Sequence, residues 1–122
     1  IVPLGQNWPF DREFIIDWLG DETFNQCFSY NYRDLKVAAL YCNDQADAMG
    51  EHYPFNKVSL SWICKTLGVE NDRAHRAMED CLATAECYRR MLTYSNYLRT
   101  PSGAKDNLDV PKPASEEPPH QA

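Results

Sequence analysis

No run of apolar residues approaches the roughly 18 that a membrane-spanning helix needs, and no basic-then-apolar leader opens the chain, so the sequence predicts neither a transmembrane span nor a signal peptide. Paired cysteines are lacking too. Five stand at positions 27, 42, 64, 81 and 87, an odd number, and no two are spaced Cys-x-x-Cys. That pattern speaks against a zinc ribbon, a thioredoxin-type redox pair and a disulfide framework. It predicts buried or half-buried thiols in a reducing, cytoplasmic setting. Positive charge is in short supply: 12 Lys and Arg stand against 18 Asp and Glu, a net charge of −6. Such a chain does not hold nucleic acid by a broad electrostatic footprint. An enzyme that grips phosphate through metal ions stays open to it, because that kind of site is itself built from carboxylates. Internal repeats are absent, and so is an initiating methionine. Ile1 in its place predicts either processing or a true N-terminus further upstream.

What is present amounts to one domain's length, 122 residues, of which 43% are hydrophobic. Residues 101–122 stand apart, with five of the eight prolines and no aromatic residue. They read as a disordered Pro-rich tail, because they have too little apolar surface to offset the entropy of ordering them. Residues 1–100 alternate short strands and helices. Ile1–Leu4 reads as a buried strand ended by Gly5. A helix over Phe10–Leu19 follows, with Phe10, Phe14, Ile15, Trp18 and Leu19 on one face and Gly20 as its stop. Aromatic Phe28–Tyr32 reads as a second short strand. Leu35–Cys42 reads as a helix capped by Asp34, and 43–57 as loop. Ser59 caps a further helix with the stripe Leu60, Ile63, Cys64 and Leu67, closed by Gly68. A long last helix spans Ala77–Leu98, with Met78, Cys81, Leu82, Ala85, Tyr88 and Leu92 as its expected buried stripe. Trp18 and Trp62, on or near such stripes, are expected in the core. So few strands leave the helices' apolar stripes short of cover, and part of the fold is expected outside the chain.

Two segments carry chemistry. In Gly5-Gln6-Asn7-Trp8-Pro9-Phe10-Asp11, a carboxylate enters the first turn of a helix that directly follows a strand. The helical spacing to Phe14, Ile15 and Trp18 aims Asp11 along the buried edge, where a carboxylate is paired, capping or bound to metal. Satisfying backbone N–H groups at the helix start is the simpler alternative. In His75-Arg76-Ala77-Met78-Glu79-Asp80, the two titratable ends are five residues apart and diverge by about 140° on a regular helix. They meet only if His75 sits in the loop before the helix and Asp80 in its first turn. A swinging imidazole beside a rigid carboxylate suits a general base next to a metal ligand, and a plain surface His is the alternative.

Taken together, the two segments resemble the second and third motifs of the DEDDh family of 3′–5′ exonucleases. That family includes RNase T, oligoribonuclease and the proofreading subunit of bacterial DNA polymerase III. The matching residues are Asn7-x-x-Phe10-Asp11 and His75-x-Ala77-x-x-Asp80, the latter continuing Cys81-Leu82-Ala83-Thr84-Ala85. Between them, Tyr32-Arg33-Asp34-Leu35 and Ser59-Leu60 through Leu67-Gly68-Val69 fall in the family's order. The resemblance covers residues 1–92. Gln6 stands where many members have His, and the family's first motif, a strand bearing Asp-x-Glu, has no counterpart here.

The resemblance implies an α/β, ribonuclease-H-like exonuclease fold, incomplete in this chain and mostly helical. It implies two Mg²⁺ or Mn²⁺ ions in an intact relative, Asp80 on the ion that activates water, Asp11 on the second, and His75 as general base. The product is a nucleoside 5′-monophosphate cut from the 3′ end of single-stranded DNA or RNA, and a polymerase is a possible partner. Asn7, Trp8, Phe10, Arg73 and Arg76 fall to substrate binding. Trp8 either stacks on the terminal base or packs under the turn, and Arg73 and Arg76 either meet phosphate or stay solvated. A catalytically degenerate nucleic-acid- or protein-binding module is the rival reading, and an unrelated small α/β binding protein the third.

Overall fold

The computed structural model describes residues 1–72 and 75–94. In chain order it contains β1 (Leu4–Gly5), α1 (Trp8–Leu19), α2 (Asp21–Cys27), β2 (Arg33–Asp34), α3 (Leu35–Ala48), α4 (Leu60–Leu67) and α5 (Ala77–Met91). β1 and β2 pair in parallel, Leu4 opposite Arg33 and Gly5 opposite Asp34. Parallel strands need a crossover, and α1 with α2 provides it. The described chain is therefore α/β and mostly helical, with a two-strand parallel sheet. No described helix is long and apolar enough to cross a membrane. Arg73, residues 95–98 of the expected last helix and the tail 101–122 lie outside the described residues.

Three helices make the core. On α3, Leu35, Ala39, Cys42 and Ala46 are buried at helical spacing. α4 contributes Ile63, Cys64 and Leu67, and α5 contributes Ala83, Cys87 and Met91, joined by Phe55 and Tyr94. Burying a Leu or Ile of this kind stabilises by about 1.5–3 kcal/mol. The Sγ atoms of Cys64 and Cys87 approach to 3.5 Å between α4 and α5, and all five cysteines are free thiols. Phe55 is pinned by Asn43, whose side chain accepts from its N–H at 3.0 Å and donates to its carbonyl at 2.8 Å.

Several expectations are corrected. Phe28–Tyr32 is not a strand; the pairing falls on Arg33–Asp34, while Phe28 stacks its ring on Phe24 at 4.8 Å and tilts against Trp8 at 6.0 Å. Gly20 ends α1, but α2 begins at once, because a φ of 81° turns the chain sharply and Asp21 and Glu22 suit a helix start. α3 outlasts Cys42 by six residues because Ala46 continues its buried stripe. On α1 the expected face is open: Phe10, Phe14 and Trp18 are 64%, 63% and 81% exposed, since β1 and α2 pack on other sides of the helix. On α5 the buried stripe is Ala83, Thr84, Cys87 and Met91, while Met78, Cys81, Leu82, Ala85 and Leu92 are exposed and Tyr88 is half-buried. Small side chains at 83, 84 and 87 let the helix lie close to its neighbours, a stronger constraint than the larger residues' hydrophobicity. Trp62 is only half-buried.

Candidate functional site

The strand-to-helix turn is shaped by two backbone devices. Gly5 leaves room for Trp8, because a Cβ there would come within 3.2 Å of the Cα and Cβ of Trp8. Asn7 takes a left-handed conformation, φ 65°, which swings the chain from β1 into α1. Its own side chain does not cap the helix. Instead the buried Asp34 carboxylate, at the end of β2, accepts from Asn7 N–H at 3.0 Å and Trp8 N–H at 2.8 Å. The same carboxylate accepts from Lys36 N–H at 2.9 Å and so caps α3 as expected. The capping role open to Asp11 thus belongs to Asp34. The sequence pattern predicts only the α3 cap for Asp34.

Asp11 lies in the first turn of α1. The residue is exposed overall, a correction to the expected inward edge, since the Phe14–Trp18 face beside it is uncovered. Its carboxyl nonetheless sits where desolvation, and then the negative charge of Asp34, hold its pKa above the usual value; a bond from its own backbone partly offsets this.

Asp80 lies in the first turn of α5 and is half-buried. His75 stands in the turn before it with a left-handed φ of 71°, and its backbone N–H donates to Asp80 Oδ1 at 3.3 Å. The arrangement demanded by the five-residue spacing is present: the imidazole is exposed on a loop and the carboxylate fixed on a helix. Thr84 Oγ1 donates to the Asp80 carbonyl at 2.7 Å.

Asp11 and Asp80 line one cavity of about 600 Å³, together with Gly5, Gln6, Trp8 and Thr84. Gln6 Nε2 donates to the Val58 carbonyl at 2.6 Å, which ties the turn to the segment before α4, and Gln6 Oε1 is buried without a partner. Cys81 also lines the cavity. Trp8 is 6% exposed and packs on Phe28, so of its two alternatives the structure shows packing. Asn7, Phe10 and Arg76 are exposed near the helix starts.

Two carboxylates match the hard-oxygen chemistry of Mg²⁺ or Mn²⁺. As a shell they are incomplete: among the described residues no three or more His, Cys, Asp or Glu side chains converge as a metal centre requires. A larger cavity of about 640 Å³ lies elsewhere, against Glu79, Glu86 and Arg90, and holds neither Asp11 nor Asp80. Compared with protein-family models, with curated proteins and with solved structures, the chain matches none.

Proposed function

We propose that this chain forms the Asp11, His75 and Asp80 side of a DEDDh-type 3′–5′ exonuclease site on a ribonuclease-H-like fold, hydrolysing the terminal phosphodiester of single-stranded DNA or RNA. The observation that carries the reading is that Asp11 and Asp80, from different helices, line one cavity, while the backbone N–H of the neighbouring loop residue His75 donates to Asp80. Asp11 and Asp80 would hold the Mg²⁺ or Mn²⁺ ions with carboxylates beyond the described residues. Such ions, when bound, neutralise phosphate charge and acidify a water. His75, exposed on the loop and joined to Asp80 through its backbone N–H, would serve as the base that accepts a proton. The pKa of Asp11 is raised first by desolvation and then by the charge of Asp34, as for a carboxyl group at the edge of a cavity.

The test uses the longest polypeptide in which the gene encodes this chain. Release of nucleoside 5′-monophosphates from an oligonucleotide 3′ end is followed with Mg²⁺, and Mn²⁺ binding by electron paramagnetic resonance. Asp80→Asn and Asp11→Asn are each expected to lose Mn²⁺ and cleavage together, whereas His75→Ala keeps Mn²⁺ and loses cleavage by about 100-fold or more. An undiminished rate in His75→Ala removes it from the mechanism, and cleavage without divalent ions contradicts the scheme. The short carboxylate set among the described residues favours a second reading, a non-catalytic binding module; oligonucleotide binding with no cleavage at any Mg²⁺ concentration would select it.

A further inference from the structure

We propose that Cys64 and Cys87 are a reversible redox pair, closed to a disulfide by a hydroperoxide and reopened by a thiol reductant, that staples α4 to α5. The two Sγ atoms approach to 3.5 Å between the helices and stand 23 residues apart along the chain. A disulfide brings its sulfurs to about 2.05 Å, so the pair must close by about 1.5 Å, a movement that side-chain rotation supplies. The helices are already held in register at this point. Arg90, one turn beyond Cys87, donates from Nη1 at 2.7 Å to the carbonyl of Leu67, one turn beyond Cys64. Both helices begin at the carboxylate cavity, which Leu60, Ala77 and Asp80 line. A covalent bond between them closes a long loop, which restricts the unfolded chain and stabilises the folded one. The proposal stands apart from the nuclease reading.

Their surroundings give the two thiols different parts. Cys42 shows what burial alone does in this core, since its thiol is pushed up to about 11. Cys64 is buried as deeply, yet the bond from Cys87 holds its pKa below the ordinary value. At Cys87 the same bond, and then burial, raise it. Cys64 also lines a shallow depression of about 250 Å³ with Ser61, Val69 and Asn71, wide enough for water-sized molecules, and hydrogen peroxide is little larger. Cys64 is therefore the sulfur that meets the oxidant. Its thiolate attacks one oxygen of the peroxide, the O–O bond breaks, and the departing hydroxide takes a proton to become water, leaving Cys64 as a sulfenic acid. The Cys87 sulfur then attacks the Cys64 sulfur and the S–O bond breaks, the Cys87 proton leaving with the hydroxyl as a second water. Two thiols lose two electrons to one peroxide, and the products are one disulfide and two waters. A dithiol reverses the bond by exchange.

The test treats the folded chain with hydrogen peroxide, alkylates the remaining thiols in denaturant and maps the peptides by mass spectrometry. The expected product is a Cys64–Cys87 disulfide within one chain, two hydrogens lighter, with Cys42 still a thiol. Its thermal midpoint is expected to lie several degrees above that of the reduced chain and to return with dithiothreitol. Cys27→Ser with Cys81→Ser, which removes the two exposed thiols, is expected to form the same bond. In Cys87→Ala, a dimedone adduct is expected at Cys64 in place of the disulfide, whereas in Cys64→Ala the Cys87 thiol stays unmodified. Should either alanine variant fail to fold, the peptide map of the unsubstituted chain decides. Absence of the Cys64–Cys87 bond, its formation only once urea has unfolded the chain, or a midpoint that oxidation does not raise overturns the proposal.

Discussion

One carboxylate, that of Asp34, accepts from three backbone amides: Asn7 at 3.0 Å, Trp8 at 2.8 Å and Lys36 at 2.9 Å. It serves the starts of two helices and fixes the turn that carries Asp11. Charge-assisted bonds of this kind are roughly twice as strong as neutral ones. Asp34→Ala leaves buried N–H groups at both helix starts and is expected to cost about 2–4 kcal/mol, with Asp34→Asn costing less because one oxygen remains. Urea unfolding at neutral pH measures both; a loss below about 1 kcal/mol would show that water replaces the carboxylate. Half of this role is legible in the sequence, since an Asp before an apolar run reads as a cap. The other half is not, because the amides of Asn7 and Trp8 lie 27 and 26 residues away along the chain. His75 and Asp80 were legible for the opposite reason: five residues apart at a helix start, their geometry is local. That Asp11 shares a cavity with Asp80, one that His75 does not line, could come only from the resemblance, and the burial of Trp8 depends on Phe28, a partner no local pattern specifies.

Among the elements, the ends of α4 and its residues Ile63, Cys64 and Leu67 are legible, because each of those signals acts within a turn of where it stands, whereas the half-burial of Trp62 and the burial of Thr66 are set by neighbouring elements. Ser59 Oγ accepts from Trp62 N–H at 3.3 Å, and Gly68 at φ 69° closes the helix, with Val69 N–H reaching the Cys64 carbonyl at 2.8 Å. α5 buries Ala83, Thr84, Cys87 and Met91 and not the stripe its pattern predicts, since which of two candidate stripes faces inward is decided by α3 and α4, not by α5 itself. The two helices are also fastened end to side. Arg90 Nη1 donates to the Leu67 carbonyl at 2.7 Å, at the negative end of α4, while Arg90 Nε is held by Glu86 at 2.9 Å. Glu86 also takes two bonds from Arg89, at 2.9 and 2.7 Å. These arginines pull the Glu86 pKa from the ordinary 4.5 down to about 2. A lowered acid pKa contributes stability above the unfolded value and loses it as pH falls through the folded one. The contribution of Glu86 is therefore intact above about pH 4.5 and gone near pH 2. Glu86→Gln is expected to be less stable than the natural chain at neutral pH, with the gap closing as pH falls through that window. Urea midpoints followed by circular dichroism at each pH would reveal it, and a gap independent of pH would mean that the charge of Glu86 does not contribute.

At the scale of the whole molecule, two opposing surface properties decide how copies of the chain behave toward each other. α1 presents Phe10, Phe14 and Trp18 as an exposed ridge in which the first two rings pack edge to face at 5.1 Å, and α5 exposes Met78 and Leu82. Contiguous apolar surface of this sort favours association. Against it stands a net charge of −6, which keeps copies apart while their fields reach each other. The Debye length shrinks from about 30 Å at 0.01 M salt to about 8 Å at 0.15 M, so the repulsion fades while apolar attraction does not. The chain is therefore expected to be monomeric in dilute buffer and to associate as salt is raised, a trend opposite to that of an ion-pair interface. Phe14→Glu with Trp18→Glu is expected to suppress the association without lowering stability by more than about 0.5 kcal/mol, since both side chains lie outside the core. Sedimentation velocity across the salt series separates the outcomes. Association that weakens with salt would assign the contact to charge, and association unchanged in the double variant would move it from α1 to the exposed face of α5.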